Sequence, residues 1–270
     1  MAVLPIHDYF SLNGVLTSCE RFIASENEGG VYEVIRVIDG IPLFLEDHLA
    51  RFFRSADIAG KQIKYREDKI SEILNSLIKK NQVSEGNILL SCKTNLKAFF
   101  IPHVYPDEVM YREGVRCGLL HAEREQPNAK VFQTRVRAVA NEMIVNEGFY
   151  EVLLIDRSGL ITEGSRSNVF FIEGKNVFTP HSDQVLLGIT RQKTIECIEK
   201  LGLKLVEESI SLDRLQDFDS LFITGTSPKI LPVKQVNSAK FDVENPILRD
   251  VMQSYDSMVS AYLESKEWYR

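Results

Sequence analysis

Three short stretches carry residues that could share one phosphate or other dianion. Gly188-Ile189-Thr190 stands where a helical pattern begins, and the first amides of a helix lack intrahelical partners and carry partial positive charge. Gly225-Thr226-Ser227 follows a short apolar run, where successive amides can form an anion nest. Arg51 lies on an amphipathic helical pattern and offers a planar fork that matches two phosphate oxygens. Each also has an ordinary reading. A helix that starts near Thr needs no ligand, Thr-Ser-Pro is a common turn, and a helix arginine is normally solvated.

Two further side chains could do chemistry beside such an anion. Glu163 stands after a strand-like run and before Gly164, where a carboxylate could face a cleft. Lys130 ends the polar run AEREQPNAK, at a junction where loops from two domains could converge. Taken alone, an acid in a turn and a lysine in a loop are ordinarily exposed charges.

The elements that must position these groups can be read from periodicity. Residues 31–37 are β-rich, and Asp39-Gly40 is a turn into 41–44. A helix follows from Glu46 to near Gly60, with Leu45, Leu49, Phe52, Phe53 and Ala56 on one stripe. A second helix covers 67–80 on Ile70, Ile73, Leu74, Leu77 and Ile78. Strands are expected at 87–92, 97–101 and 114–121. Beyond the polar run come a helix at 134–148, on Val136, Val139, Ala140, Met143 and Ile144, and strands at 151–156, 168–172 and 176–178. A helix at 190–201, strands at 203–206 and 221–224, and a closing helix at 246–268 complete the pattern. This order fits an α+β chain of two domains better than a doubly wound sheet. The expected division is an N-terminal domain over 1–120, a linker over 121–128 and a second domain over 129–270.

Bulk properties narrow the class. The chain has 270 residues, 44% hydrophobic and 26% charged, as in a soluble globular protein. A net charge of −6 argues against a nucleic-acid partner. Cys19, Cys92, Cys117 and Cys197 show no ligand-like spacing, nor do the five histidines, so free thiols and no metal are expected. The start MAVLPIHDYF lacks a basic region followed by an apolar core. No apolar run approaches the roughly 18 residues of a membrane helix. A cytoplasmic protein with no membrane partner is expected.

The run Glu163-Gly164-Ser165-Arg166-Ser167-Asn168-Val169-Phe170, then Val177-Phe178-Thr179, then Leu186-Leu187-Gly188-Ile189-Thr190-Arg191 resembles the signature of the class IV aminotransferases. Every constrained position of that long, gapped pattern is met. Tyr32-Glu33-Val34-Ile35-Arg36 and Glu46-Asp47-His48-Leu49-Ala50-Arg51 resemble the family's substrate-side strand and phosphate-arginine helix. The family includes branched-chain aminotransferases, D-amino acid aminotransferases and aminodeoxychorismate lyase. The resemblance implies fold type IV, two α/β-type domains meeting at pyridoxal 5′-phosphate, and a homodimer. Counted back from Tyr150-Glu151-Val152, the Schiff-base lysine falls on Lys130. Glu163 matches the acid at the pyridine nitrogen. Ile189, Thr190, Thr226 and Ser227 match the phosphate cradle with Arg51, and Ser167, Asn168 and Gly188 lie among the cofactor-side positions.

Departures from the pattern bear on the substrate. Arg135 occupies the position of a tyrosine that touches the cofactor ring hydroxyl in branched-chain enzymes, and either takes that place or points to solvent. Tyr32 and Val34 resemble the D-amino acid enzymes. The R-x-H carboxylate trap of those enzymes, however, lacks its His in Lys97-Ala98-Phe99. Arg36 and Arg166 are the other carboxylate candidates. The resemblance therefore implies a transaminase that exchanges a small amino acid, of branched-chain or D-type, with a 2-oxo acid. A lyase releasing pyruvate and 4-aminobenzoate is the alternative, and a non-catalytic cofactor scaffold is more remote.

Overall fold

The computed structural model describes residues 3–24, 29–125, 127–132 and 134–267. The last position of the expected closing helix, 268, lies outside them. The chain forms two compact units, one of residues 1–104, 129–132 and 259–270, the other of 105–128 and 133–258.

The first unit contains β1 (Tyr9–Leu12), β2 (Val15–Ser18), β3 (Val31–Ile38), β4 (Ile41–Pro42), α1 (Leu45–Ile58), α2 (Glu67–Asn81), β5 (Gly86–Cys92) and β6 (Leu96–Ile101). Its sheet runs β2-β1-β6-β5-β3-β4, antiparallel throughout. Asp39 and Gly40 both take left-handed φ, +52° and +75°, as the tight turn from β3 to β4 requires. Asn13 and Gly14 do the same at +51° and +84° between β1 and β2, a hairpin not anticipated above although Asn-Gly is its strongest local signal.

Alternation along β3 sends Val31, Ile35 and Val37 into a core with Leu45, Leu49, Phe52 and Ala56 of α1 and the five expected apolar residues of α2. The opposite face packs Tyr32 with Phe10, Leu89 and Phe99. Acids open α2 and Lys79 and Lys80 close it, which suits the helix dipole.

The second unit contains α3 (Glu108–Glu113), β7 (Val115–His121), α4 (Thr134–Glu147), β8 (Glu151–Ile155), β9 (Leu160–Gly164), β10 (Asn168–Glu173), β11 (Asn176–Thr179), α5 (Ile189–Lys200), β12 (Lys204–Glu207), β13 (Ile210–Ser211), β14 (Ser220–Gly225), β15 (Lys229–Val236), β16 (Ala239–Lys240) and α6 (Pro246–Glu267). They build a mixed sheet in the order β12-β11-β10-β14-β15-β7-β8-β9-β13, with β16 on β15. β7 and β8 are parallel and joined through α4; β11 and β12 are parallel and joined through α5. From Val259 onward α6 belongs to the first unit. There Tyr262 Oη accepts the Leu45 N–H that opens α1, at 3.1 Å, and donates to Glu46, at 2.8 Å.

The division expected from sequence is corrected in two places. β7, expected to close the first domain, pairs with β8 and β15 inside the second unit. Residues 129–132, expected to open the second domain, belong to the first unit, where Val131 bridges to Val31. Residues 122–125 of the polar run carry no regular secondary structure, and loops are polar wherever they run. Two smaller expectations also change. Glu163 lies within β9 rather than beyond a strand, and of the apolar stripe on α4 only Ala140 is buried, with Val139 44% exposed.

Candidate active site

In the first unit the candidate residues stand on β3, α1, β6 and the return of chain at 129–132. Glu33 is fully buried on the α1 side of β3 and accepts from Arg51 Nε at 2.8 Å and Nη2 at 2.6 Å. His48, one turn before Arg51, lies with Nδ1 2.8 Å from Glu33 Oε2. Burial works to raise the Glu33 carboxyl, but the Arg51 charge and the bonds from Arg51 and His48 outweigh it and hold the group at about 2. Burial pushes His48 down, and the positive charges of Arg51 and Lys130 act in the same direction. A neutral imidazole donating to an ionised Glu33 satisfies both. One edge of the Arg51 fork is thus spent on Glu33, a partner that the sequence did not single out.

Lys130 sits on the short return of chain at 129–132. Its N–H donates to Ser55 Oγ on α1 at 3.1 Å, and its carbonyl accepts from Tyr32 N at 3.0 Å. Ala129 and Val131 enter the α1 core, so by strand alternation Lys130 and Phe132 turn the other way. Phe132 stacks on Tyr32 with centroids 4.1 Å apart, and Lys130 Nζ lies 4.9 Å from the Tyr32 ring centroid. The backbone of Lys130 is therefore clamped on both sides and its half-buried amine is held against an aromatic ring. Val34 and Arg36 follow Tyr32 on the same strand face, half-buried. Lys97 on β6 extends over Phe22, with Nζ 3.5 Å from the Ile23 carbonyl.

In the second unit Glu163 is 2% exposed and accepts from Arg124 Nη1 and from Leu186 N, both at 3.3 Å. The turn after it is organised by another buried acid. Glu151 accepts from Ser165 Oγ (2.6 Å), Ser167 Oγ (2.9 Å), Arg166 N (3.1 Å) and Val152 N (2.8 Å). Arg166 itself points outward, with Nη2 2.5 Å from Asn141 Oδ1. Arg135 on α4 is exposed, the solvent-facing of its two expected positions. Arg124 and Glu151 were missed in the sequence because neither carries a local signal; their partners lie 39 and 14 to 16 residues away.

The stretch 186–190 and the turn at 225–227 are brought together through Asn168. Asn168 pairs with Thr224 across the β10–β14 ladder, and its Nδ2 donates to Leu186 O at 2.8 Å. A side chain at Gly188 would run into Asn168 Oδ1, so only glycine allows this approach. Gly188 is also the N-cap of α5, supplies no side-chain cap, and is followed by a first turn without acids. The amides of Ile189 and Thr190 thus open a helix whose start suits an anion. Thr226 and Ser227 form the β14–β15 turn, at the end of the strand that α5 packs on.

The model of the family described as amino-transferase class IV matches residues 30–236. The chain belongs to that family. As a class IV aminotransferase it is an enzyme, and it has relatives of two named kinds. It is 28% identical over 269 residues to the branched-chain-amino-acid aminotransferase of Pseudomonas aeruginosa, covering 88% of this chain and 87% of that one. It is also 28% identical over 228 residues to a D-alanine aminotransferase of Bacillus licheniformis, covering 77% and 79%. Among solved structures, the T.th. branched-chain amino acid aminotransferase with pyridoxamine 5′-phosphate superposes with a TM-score of 0.84 over 97% of each chain at 23% identity. The fold of this class IV aminotransferase is accordingly fold type IV. No helix among the described residues is long and apolar enough to cross a membrane, and no cluster of three His, Cys, Asp or Glu there could hold a metal.

Proposed function

We propose that this class IV aminotransferase uses pyridoxal 5′-phosphate to exchange an amino group between a small amino acid and a 2-oxo acid, with Lys130 as the catalytic residue. The observation that carries this is the double backbone clamp on Lys130, which holds a half-buried amine against Tyr32, where its charge acts on His48. A lysine that served only solubility would need no such anchoring.

The donor set fits the cofactor. The uncapped start of α5, the Thr190 hydroxyl, and Thr226 and Ser227 suit a phosphate, with Arg51 as a cation for it. Asn168, Ser167 and Gly188 shape that cradle. Glu163 is a buried acid suited to holding a proton at a ring nitrogen, with Arg124 Nη1 3.3 Å from its Oε1. When bound, pyridoxal 5′-phosphate supplies an aldehyde for amino-group exchange and a ring that delocalises the electron pair left at the substrate α-carbon. Lys130 Nζ would take the proton from the substrate α-carbon as a general base and, as a general acid, deliver it to the carbon that had been the cofactor aldehyde. Tyr32 and Val34 bound the substrate side chain, and Arg36 and Lys97 are the candidates for its carboxylate, since Arg135 is exposed and Arg166 points outward to Asn141. The same reading includes a homodimer working in the cytoplasm.

The test is a panel of L- and D-amino acids mixed singly with holoenzyme and no oxo acid. Stoichiometric conversion of the cofactor to its pyridoxamine form with a small amino acid is expected. No conversion with any amino acid, together with pyruvate release from aminodeoxychorismate, would overturn the reading in favour of a lyase. Colourless protein that cannot be reconstituted would overturn it in favour of a scaffold. Light scattering on active enzyme is expected to give a dimer mass.

A further inference from the structure

The β14–β15 turn is held from behind by side chains that no part of the proposed reaction uses. Tyr111 on α3 donates from Oη to Pro228 O at 3.1 Å. Lys229, the residue that closes the turn opposite Gly225, reaches Asp256 on α6 with Nζ 2.8 Å from Oδ1. Both tethers lead to one support. Arg249 on α6 donates to the carbonyls of Tyr111 and Arg112, each at 2.8 Å, and to Glu244 at 2.8 Å, which pins the end of α3 to α6. Tyr111, Lys229, Arg249 and Asp256 line a cleft of about 710 Å³.

The backbone supplies a second, independent observation. Lys229 has φ +53°, the left-handed region where glycine is at ease and a lysine is not. Three-residue hairpin loops commonly place Gly at such a position. Lysine here gives up backbone ease and gains a side chain long enough to reach α6. A turn that merely reversed the chain would not need that exchange.

We propose that Tyr111 and the Lys229–Asp256 pair are positioning residues that fix the Thr226–Ser227 turn to receive an anion, the cofactor phosphate if the function proposed above holds. Their contribution is to preorganise donors, so it falls on binding of the phosphate group and not on the fold. Lys229→Gly separates the two roles, because it relieves the backbone while cutting the tether.

The experiment titrates apoenzyme with pyridoxal 5′-phosphate and, separately, with pyridoxal, which lacks the phosphate, for wild type, Tyr111→Phe, Lys229→Gly and Asp256→Asn. Each variant is expected to loosen pyridoxal 5′-phosphate by about three- to tenfold, the scale of one lost polar contact. Pyridoxal binding should stay unchanged, and the Tm of apo Lys229→Gly should be equal to or above that of wild type. Unchanged phosphate-ester binding in all three variants would overturn the inference, as would equal loosening of both ligands. Wild-type apoenzyme that binds the two ligands equally, or neither, would sink the phosphate assignment of the turn itself and this inference with it.

Discussion

Arg51 and Glu33 form a two-point ion pair, Nε to Oε1 and Nη2 to Oε2, in which both side chains are 4% exposed or less. Such a pair is costly to break on one side only, because the remaining charge stays buried. Glu33→Gln is therefore expected to lower stability by about 3–5 kcal/mol. It should also release Arg51 from its orientation, weakening phosphate-ester binding. Denaturant unfolding of apoenzyme and cofactor titration check the two effects separately.

The same pair sets an acid limb of stability. The Glu33 carboxyl falls from its ordinary 4.5 to about 2 in the fold, so the unfolded chain binds the extra proton between those values. Its contribution, about 3 kcal/mol, is complete above pH 4.5 and is lost as pH falls toward 2. His48, pushed below its ordinary 6.5 by burial, acts with the same sign, and its loss begins as pH drops below 6.5. Stability measured from pH 7 to 2 should fall in both windows, and Glu33→Gln should flatten the lower one.

Lys130→Ala removes the amine while leaving both backbone bonds of residue 130 in place. Its Tm should stay close to that of wild type. The visible absorption band of the holoenzyme should disappear, and turnover should fall by at least about 10²- to 10⁴-fold, the range of a lost general base. Full transaminase activity in this variant would remove Lys130 from the mechanism.

Glu163→Gln keeps the shape of the side chain but withdraws its charge from Arg124. A loss of about 10²–10³ in kcat is expected, the scale of one preorganised electrostatic partner. Glu163→Asp should recover part of it. A variant that lost cofactor binding and kcat together with its fold, seen by near-UV circular dichroism, would show a structural role instead.

Gly188→Ala forces the new methyl against Asn168 Oδ1. Relief requires Asn168 to move, which breaks its bond to Leu186 O and disturbs the start of α5. A stability loss of about 1–3 kcal/mol is expected, as for other overpacked sites. Binding of pyridoxal 5′-phosphate should weaken more than binding of pyridoxal, since the change lies at the phosphate cradle.

Periodicity alone determined much of this protein. The stripe of α1 and the five apolar residues of α2 follow from spacings that local sterics impose, and the structure buries them as expected, with Phe53 of α1 only partly buried. The run from Glu163 to Arg191 was legible for a similar reason. Its strands, turn and helix start are consecutive, so the acid at 163 and the helix start at 189–190 stand in one stretch, although the place of Glu163 within β9 and its burial are not legible there. Tertiary structure alone decided the rest. Residues 129–132 join β3 and α1 although nearly a hundred residues separate Lys130 from Tyr32, because an unpaired strand end takes whichever segment satisfies its amides. Glu33 meets Arg51, and Glu151 meets Ser165 and Ser167, for the same kind of reason: buried charge must find its partners in space, and sequence spacing does not record where those partners lie.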